Sequence, residues 1–285
     1  MIVNEFGRVS YEYAIGCIKA TSHPPLTKEQ LNRLSESSER DFEKLLDEFG
    51  WARGIEGNIN ERIEGELSYA ISFIKDISPD KSLTDLLFFE DDAVNLKLYV
   101  KGRLLGQDVT NLAVPSGSIP VEIIRGSVEA WDFTLISEAL NREMADFENE
   151  KDPFILSSVC DRAIFLHTLE RAKKESRALY EMLTVYGESQ NRVAEARLKE
   201  MGRDLESAKR YLLPVSYTSP DFEKESVEKV IGDSEEKTLR AMDDLRTGES
   251  FAPIAEYFFA KKSESAILRR LALEKTFRTG AENNG

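Results

Sequence analysis

The chain has 285 residues, of which 41% are hydrophobic and 32% charged, and its net charge is −14. That is enough apolar material for a core, but the acidic excess argues against a nucleic-acid backbone as partner, because phosphate binding needs a clustered positive surface. No apolar run approaches the roughly 20 residues needed to cross a bilayer, and the opening MIVNEFGRVSYEY lacks the basic and apolar regions of a signal peptide.

Helical signals follow in chain order. Thr27 with Gln30 reads as a capping box. Ile63, Leu67, Ala70, Ile71 and Ile74 share one face of a helix. The stretch DDAVNLKLYVKGRLLG, residues 91–106, reads as a helix with Asp92 at its N-cap. Val94, Leu98 and Leu105 lie on one side of it, and Ala93, Leu96, Val100 and Leu104 on another, so it is expected to pack between neighbours. Val114-Pro115-Ser116-Gly117 reads as a loop, and Leu135, Ile136, Leu140, Met144 and Phe147 as a further stripe. Asp152-Pro153 opens a long helix expected to reach about Tyr186, because neither Gly nor Pro interrupts it after Pro153. Its segment 171–177 reads as a solvated face. Ser219-Pro220 reads as another helix start. Convincing period-two strands are absent, so the expected class is all-α.

The helix of residues 91–106 recurs. With Asn191 set on Asn95, Glu188 falls on Asp92, Arg197 on Lys101 and Gly202 on Gly106. A third copy near the C-terminus puts Glu264 on Asp92, Arg269 on Lys97 and Ile267 where the others have Asn. Upstream, Leu26-Thr27-Lys28 echoes Ile119-Pro120-Val121. Three ordered acid–apolar–base helices predict a triplicated helical unit. Within the first copy, Asn95 and Gly102 share a stripe. Gly lets a neighbouring backbone approach closely at a cost of about 1 kcal/mol in helix propensity, and a buried amide needs partners. Lys97 and Lys101, four apart, form a like-charged stripe that nearby acids must offset.

No residue pattern nominates an active site. There is no GxxxxGK[ST] loop, no GxGxxG and no HExxH. Two histidines, His23 before a Pro-Pro pair and His167 within a helix, exclude a multi-His metal centre. Cys17 and Cys160 have no CxxC spacing and read as reduced, small apolar residues. No catalytic, cofactor-binding or metal-ligating residue is therefore expected.

The helix Asp92-x-x-Asn95-Leu96-Lys97 leading to Gly106, its copy around Asn191, the segment Lys262-x-Glu264 through Arg269-Arg270-Leu271 to Lys275, and the opening Tyr11-x-Tyr13 with Pro25-Leu26-Thr27 together resemble the C-type stalk component of the prokaryotic V/A-type rotary ATPases. Its eukaryotic counterpart is the d-type component of the vacuolar ATPases. The resemblance runs to about Phe277. It implies three similar helical subdomains around a pseudo-threefold axis, forming a funnel or socket, with segments at 1–110, 111–208 and 209–277 and a disordered tail at 278–285.

It also implies a non-catalytic central-stalk rotor subunit without cofactor. Such a subunit sits between the axle, formed by the D and F components, and the membrane proteolipid ring. It lies on the cytoplasmic side, without a span of its own, and transmits torque for ATP synthesis or ion transport. The partner-binding and structural candidates are Asp92, Asn95, Lys97, Lys101, Gly102, Asn191, Arg197, Glu264 and Arg269, with Lys97, Lys101 and Arg197 lining or bracing the socket. Two departures bear on closure of the socket: Ile267 in place of Asn, and trimming in the third unit. The competing reading is a helical scaffold or regulatory adaptor without catalytic activity.

Overall fold

A computed structural model describes residues 10–204, 211–245 and 250–282. The fold is all-α, as the sequence predicts, with no strand among the described residues. The helices are α1 Tyr11–Ala20, α2 Lys28–Glu36, α3 Glu39–Glu48, α4 Ile59–Ile77, α5 Lys81–Asp85, α6 Phe89–Leu105, α7 Val121–Ala130, α8 Glu138–Met144, α9 Pro153–Glu175, α10 Arg177–Glu200, α11 Val227–Leu245 and α12 Ala252–Glu282. Of the expected C-terminal tail, α12 includes the residues up to Glu282, and 283–285 lie outside the described residues.

Local chemistry sets most helix starts. Thr27 and Gln30 form the expected capping box, and Asn58 with Glu61 forms a second. Such reciprocal bonds satisfy helix-start N–H groups that have no partner within the helix. Asp152 caps α9, with Pro153 in its first turn. Three expectations fail. The long helix breaks at Ser176, whose backbone is extended (φ −151°, ψ 117°). Its hydroxyl accepts the Leu179 N–H and its own N–H donates to Ala172, so one serine ends α9 and begins α10 without Gly or Pro. Ser219-Pro220 starts no helix, because the next one begins at Val227. α6 begins at Phe89, which puts Asp92 inside its first turn rather than at its cap.

The chain divides into two compact units, Met1–Thr84 with Ser250–Gly285, and Asp85–Glu249. The expected segment 209–277 is thus shared, α11 lying in the second unit and α12 in the first. In the first unit α12 packs along α4 and touches α1 and α3. The pairings Tyr257 with Phe73, Lys261 with Glu66 and Arg269 with Glu64 make α12 and α4 antiparallel. Leu268 and Leu271 enter a core cluster of Leu34, Phe42, Leu46, Trp51 and Ile63. Each such leucine contributes about 1.5–3 kcal/mol by leaving water, so the C-terminal helix belongs to the core that the N-terminal helices build.

In the second unit α9 is central, with Leu156, Cys160, Phe165 and Leu169 buried, and it packs against α6, α8 and α10. α10 in turn packs along α11. Phe89 meets Phe165, and Lys97 meets Asp161, so α6 runs antiparallel to α9. α10 also turns back along α9 after Ser176, bringing Tyr186 to Phe165. α6 and α10 therefore run parallel on either side of the first half of α9.

Candidate functional site

Asn95 is fully buried on α6. Its Nδ2 donates to the Val114 carbonyl and its Oδ1 accepts the Val114 N–H, both at 2.8 Å. The amide thus imitates a paired strand residue and fixes the loop where Val114 precedes Pro115. One turn earlier, Asp92 accepts the Ile119 N–H at 2.9 Å and the Ser118 hydroxyl at 2.6 Å, while Asp91 accepts the Ser116 hydroxyl at 2.5 Å. Loop 114–119 is stapled to the first half of α6 at residues 114, 116, 118 and 119.

Gly117 permits this closeness. A Cβ there would collide with the Asp92 carboxylate, which is already held from two sides. Gly117→Ala is expected to destabilise the chain by about 1–3 kcal/mol, read as a lower urea midpoint at unchanged slope. Gly102, lower on α6, has Val109 against it, and a Cβ would stand 2.8 Å from the Val109 Cγ2. Only one of the two apolar sides of α6 is covered. Ala93, Leu96 and Val100 are buried, whereas Val94 is 43% and Leu105 65% exposed.

The second copy repeats the staple. Asn191 on α10 donates to the Leu213 carbonyl at 3.0 Å and accepts the Leu213 N–H at 2.8 Å, again one residue before a proline. The carboxylate does not repeat at the expected place. Glu188 pairs with Lys237 of α11, and Glu195, one turn after the Asn, accepts from the Tyr217 and Ser219 hydroxyls.

The third copy keeps the carboxylate and loses the amide. Glu264 on α12 accepts the Leu26 N–H at 2.5 Å, and Leu26 stands just before the N-cap of α2 as Ile119 stands just before that of α7. The correspondence of Leu26 with Ile119 and of Glu264 with Asp92 therefore has one physical content: an acid on a long helix holds the N–H that leads into a short one. Ile267, at the Asn position, packs against the hydrophobic cluster instead.

Glu264 also belongs to a buried charge network. Its other oxygen accepts the Trp51 indole N–H at 2.7 Å and the Lys261 ammonium at 2.8 Å. Lys261 reaches Glu66 at 2.6 Å, and Glu66 holds His23 at 2.8 Å. Sequence reasoning missed Lys261, Glu66 and Glu195. A signal existed: Lys261 and Glu264 continue the stripe Ile254–Phe258–Leu268–Leu271, and Glu66 continues Ile63–Ala70–Ile74. Charges standing in core positions are paired when buried.

The remaining expected residues scatter. Lys97 pairs with Asp161 at 2.7 Å, Lys101 is half-buried near Cys160, and exposed Arg269 stands 3.8 Å from Glu64. Lys97, Asn191 and Arg197 come together on a cleft of about 530 Å³ within the second unit, lined by α6, α9, α10 and residues 211–213. Lys101 and Asp92 are not on it.

Two groups in this unit titrate abnormally, in opposite senses. Burial pushes Asp92 up from the ordinary 3.8 to about 6, against the lowering effect of its Ser118 and Ile119 hydrogen bonds. Burial and the nearby Arg171 push His167 down from 6.5 to about 4. The folded state therefore holds an extra proton on Asp92 between about pH 4 and 6, so that group adds stability on acidification. It lacks a proton on His167 between about pH 6.5 and 4, so that group's contribution, complete above 6.5, is lost as pH falls.

The two opposing effects mask each other. Asp92→Asn is expected to steepen the loss of stability between pH 6.5 and 4, by up to about 3 kcal/mol. His167→Gln is expected to make acidification over the same interval less destabilising than in the parent. Urea denaturation at a series of pH values separates the two.

Among the described residues, no group of His, Cys, Asp and Glu is placed to hold a metal ion, and no helix is long and apolar enough to cross a membrane. Cys17 and Cys160 are free thiols. What the geometry defines is an all-α protein of helical subdomains in which buried Asn95, Asp92, Asn191 and Glu264 hold loop backbone. The family model described as ATP synthase (C/AC39) subunit matches residues 14–271, and the chain belongs to that family. Membership supports a non-enzymatic role as a rotary ATPase stalk subunit. A search of curated proteins finds no match.

Proposed function

We propose that the chain is the central-stalk rotor subunit that couples the axle, formed by the D and F components, to the membrane proteolipid ring. It binds no nucleotide and carries torque between the ATP-handling head and the ring, from the cytoplasmic face. The observation that carries this reading, beside family membership, is the recurring staple: α6, α10 and α12 each clamp a following or preceding loop through a buried Asn or carboxylate. Torque transmission needs stiffness rather than chemistry, and close-packed helices with pinned loops supply it. In this reading the three helices head three related subdomains arranged around a pseudo-threefold axis as a socket, and Lys97, Lys101 and Arg197 face or brace the axle tip.

The test is co-expression with the axle and ring proteins, followed by purification. The chain is expected to join both. A chain that joins neither is the adaptor of the competing reading; the repeat favours the rotor, because a free-standing scaffold has no need of it.

A further inference from the structure

The cleft of the second unit has the shape of a helix seat. Two parallel helices, α6 and α10, flank the antiparallel α9, with residues 211–213 completing the lining, so the trough between α6 and α10 runs along a helix axis. Apolar side chains stand partly exposed on it: Val94 is 43%, Phe154 41% and Met201 63% exposed. A floor of Phe89, Phe165 and Tyr186 lies beneath, the three rings meeting at 5.4–6.1 Å.

The charges on the cleft are not equivalent. Lys97 is bound to Asp161, and Glu90 accepts from the Tyr186 hydroxyl at 3.1 Å. Arg197 is exposed, lines the cleft and makes no ion pair or hydrogen bond through its side chain among the described residues. At the same end, Arg203 lies over the Phe154 ring at 5.1 Å. One end of an apolar trough thus carries guanidinium charge without a carboxylate partner among the described residues, on a protein whose net charge is −14.

We infer that this trough is a docking site for an amphipathic helix of a partner protein, with apolar residues at i, i+3, i+4 and i+7 entering between α6 and α10 and a carboxylate meeting Arg197. A helix laid in a groove buries one apolar stripe and leaves its polar face in water. An acid on its flank takes the guanidinium in a forked pair, which sets direction as well as affinity. The inference rests on the reading of this chain as a part that assembles with other proteins, but it names a surface and a binding chemistry that family membership does not.

The probe is a fluorescein-labelled helical peptide of about five turns with a leucine stripe, made in three forms carrying Glu, Gln or Lys at one flank. Anisotropy is read against the full chain. The Glu peptide is expected to bind roughly tenfold more tightly than the Lys peptide, and Arg197→Glu to reverse that order. Val94→Asp with Met201→Asp, both at exposed positions, is expected to weaken all three forms by roughly tenfold or more while the thermal melt by circular dichroism stays that of the parent. An unchanged order in Arg197→Glu, or binding indifferent to the double variant, overturns the inference. These outcomes are independent of the co-purification test. A chain that joins axle and ring but fails the peptide test keeps its role and loses this site, and one that passes the peptide test but joins neither keeps the site and loses the role.

Discussion

Lys261→Met is expected to destabilise the first unit by about 3–5 kcal/mol. The Lys261 side chain is fully buried and its ammonium lies 2.6 Å from Glu66 and 2.8 Å from Glu264. Methionine fills similar volume, so packing is nearly kept and the loss is electrostatic. Two carboxylates would remain in the core without their cation, and breaking a buried pair from one side costs far more than the pair contributes net. Domain stabilities are about 5–15 kcal/mol, so a large share goes with one substitution.

The control is the triple variant Lys261→Met, Glu66→Gln, Glu264→Gln, which removes all three charges while the glutamine in place of Glu264 keeps its one carbonyl oxygen as acceptor for either the Leu26 or the Trp51 N–H. It is expected to recover part of the loss in urea denaturation followed by tryptophan fluorescence, the remainder being the one N–H left without an acceptor. If the single variant were as stable as the parent, the network would hold nothing together.

Asn95→Leu is expected to cost about 2–4 kcal/mol, because it strands both the N–H and the carbonyl of Val114, each worth about 1–3 kcal/mol when left unpaired. Asn191→Leu does the same to Leu213. Asn95→Asp keeps the acceptor for the Val114 N–H but turns a second acceptor onto the Val114 carbonyl beside Asp92, so it is expected to fall short of rescue. Amide hydrogen exchange gives the decisive reading. In Asn95→Leu the Val114 amide loses protection while that of Leu213 keeps it, and in Asn191→Leu the pattern inverts. Equal loss at both loops would mean general loosening rather than two separate staples.

The repeat was readable because it is written in residue type and spacing. Asn95 and Asn191 stand in like surroundings, and their bond partners, Val114 and Leu213, each precede a proline. The match of Glu188 to Asp92 failed where alignment ignores direction. Loop 114–119 runs back toward the start of α6, whereas Leu213 to Ser219 runs toward the end of α10, so the useful acid moves from one turn before the Asn to one turn after it. The break at Ser176 was hidden for a different reason, since a serine carries no helix-stopping geometry of its own and caps only when the chain turns there.

By itself the sequence determined the class and the local grammar: helices from their periodic stripes, the capping boxes and the Asp-Pro start from side chains that bond their own backbone, and a buried amide in need of partners. All of these depend on neighbours within a turn or two. Only the tertiary structure decided that the last helix completes the first unit, that Lys261 lies between Glu66 and Glu264, that Val94 faces outward while Ala93 does not, and that Lys97 and Arg197 share a cleft while Lys101 stands apart from it. Those facts depend on which face of one helix meets residues as many as 240 positions away. Periodicity gives a helix its faces, but only packing gives each face its neighbour.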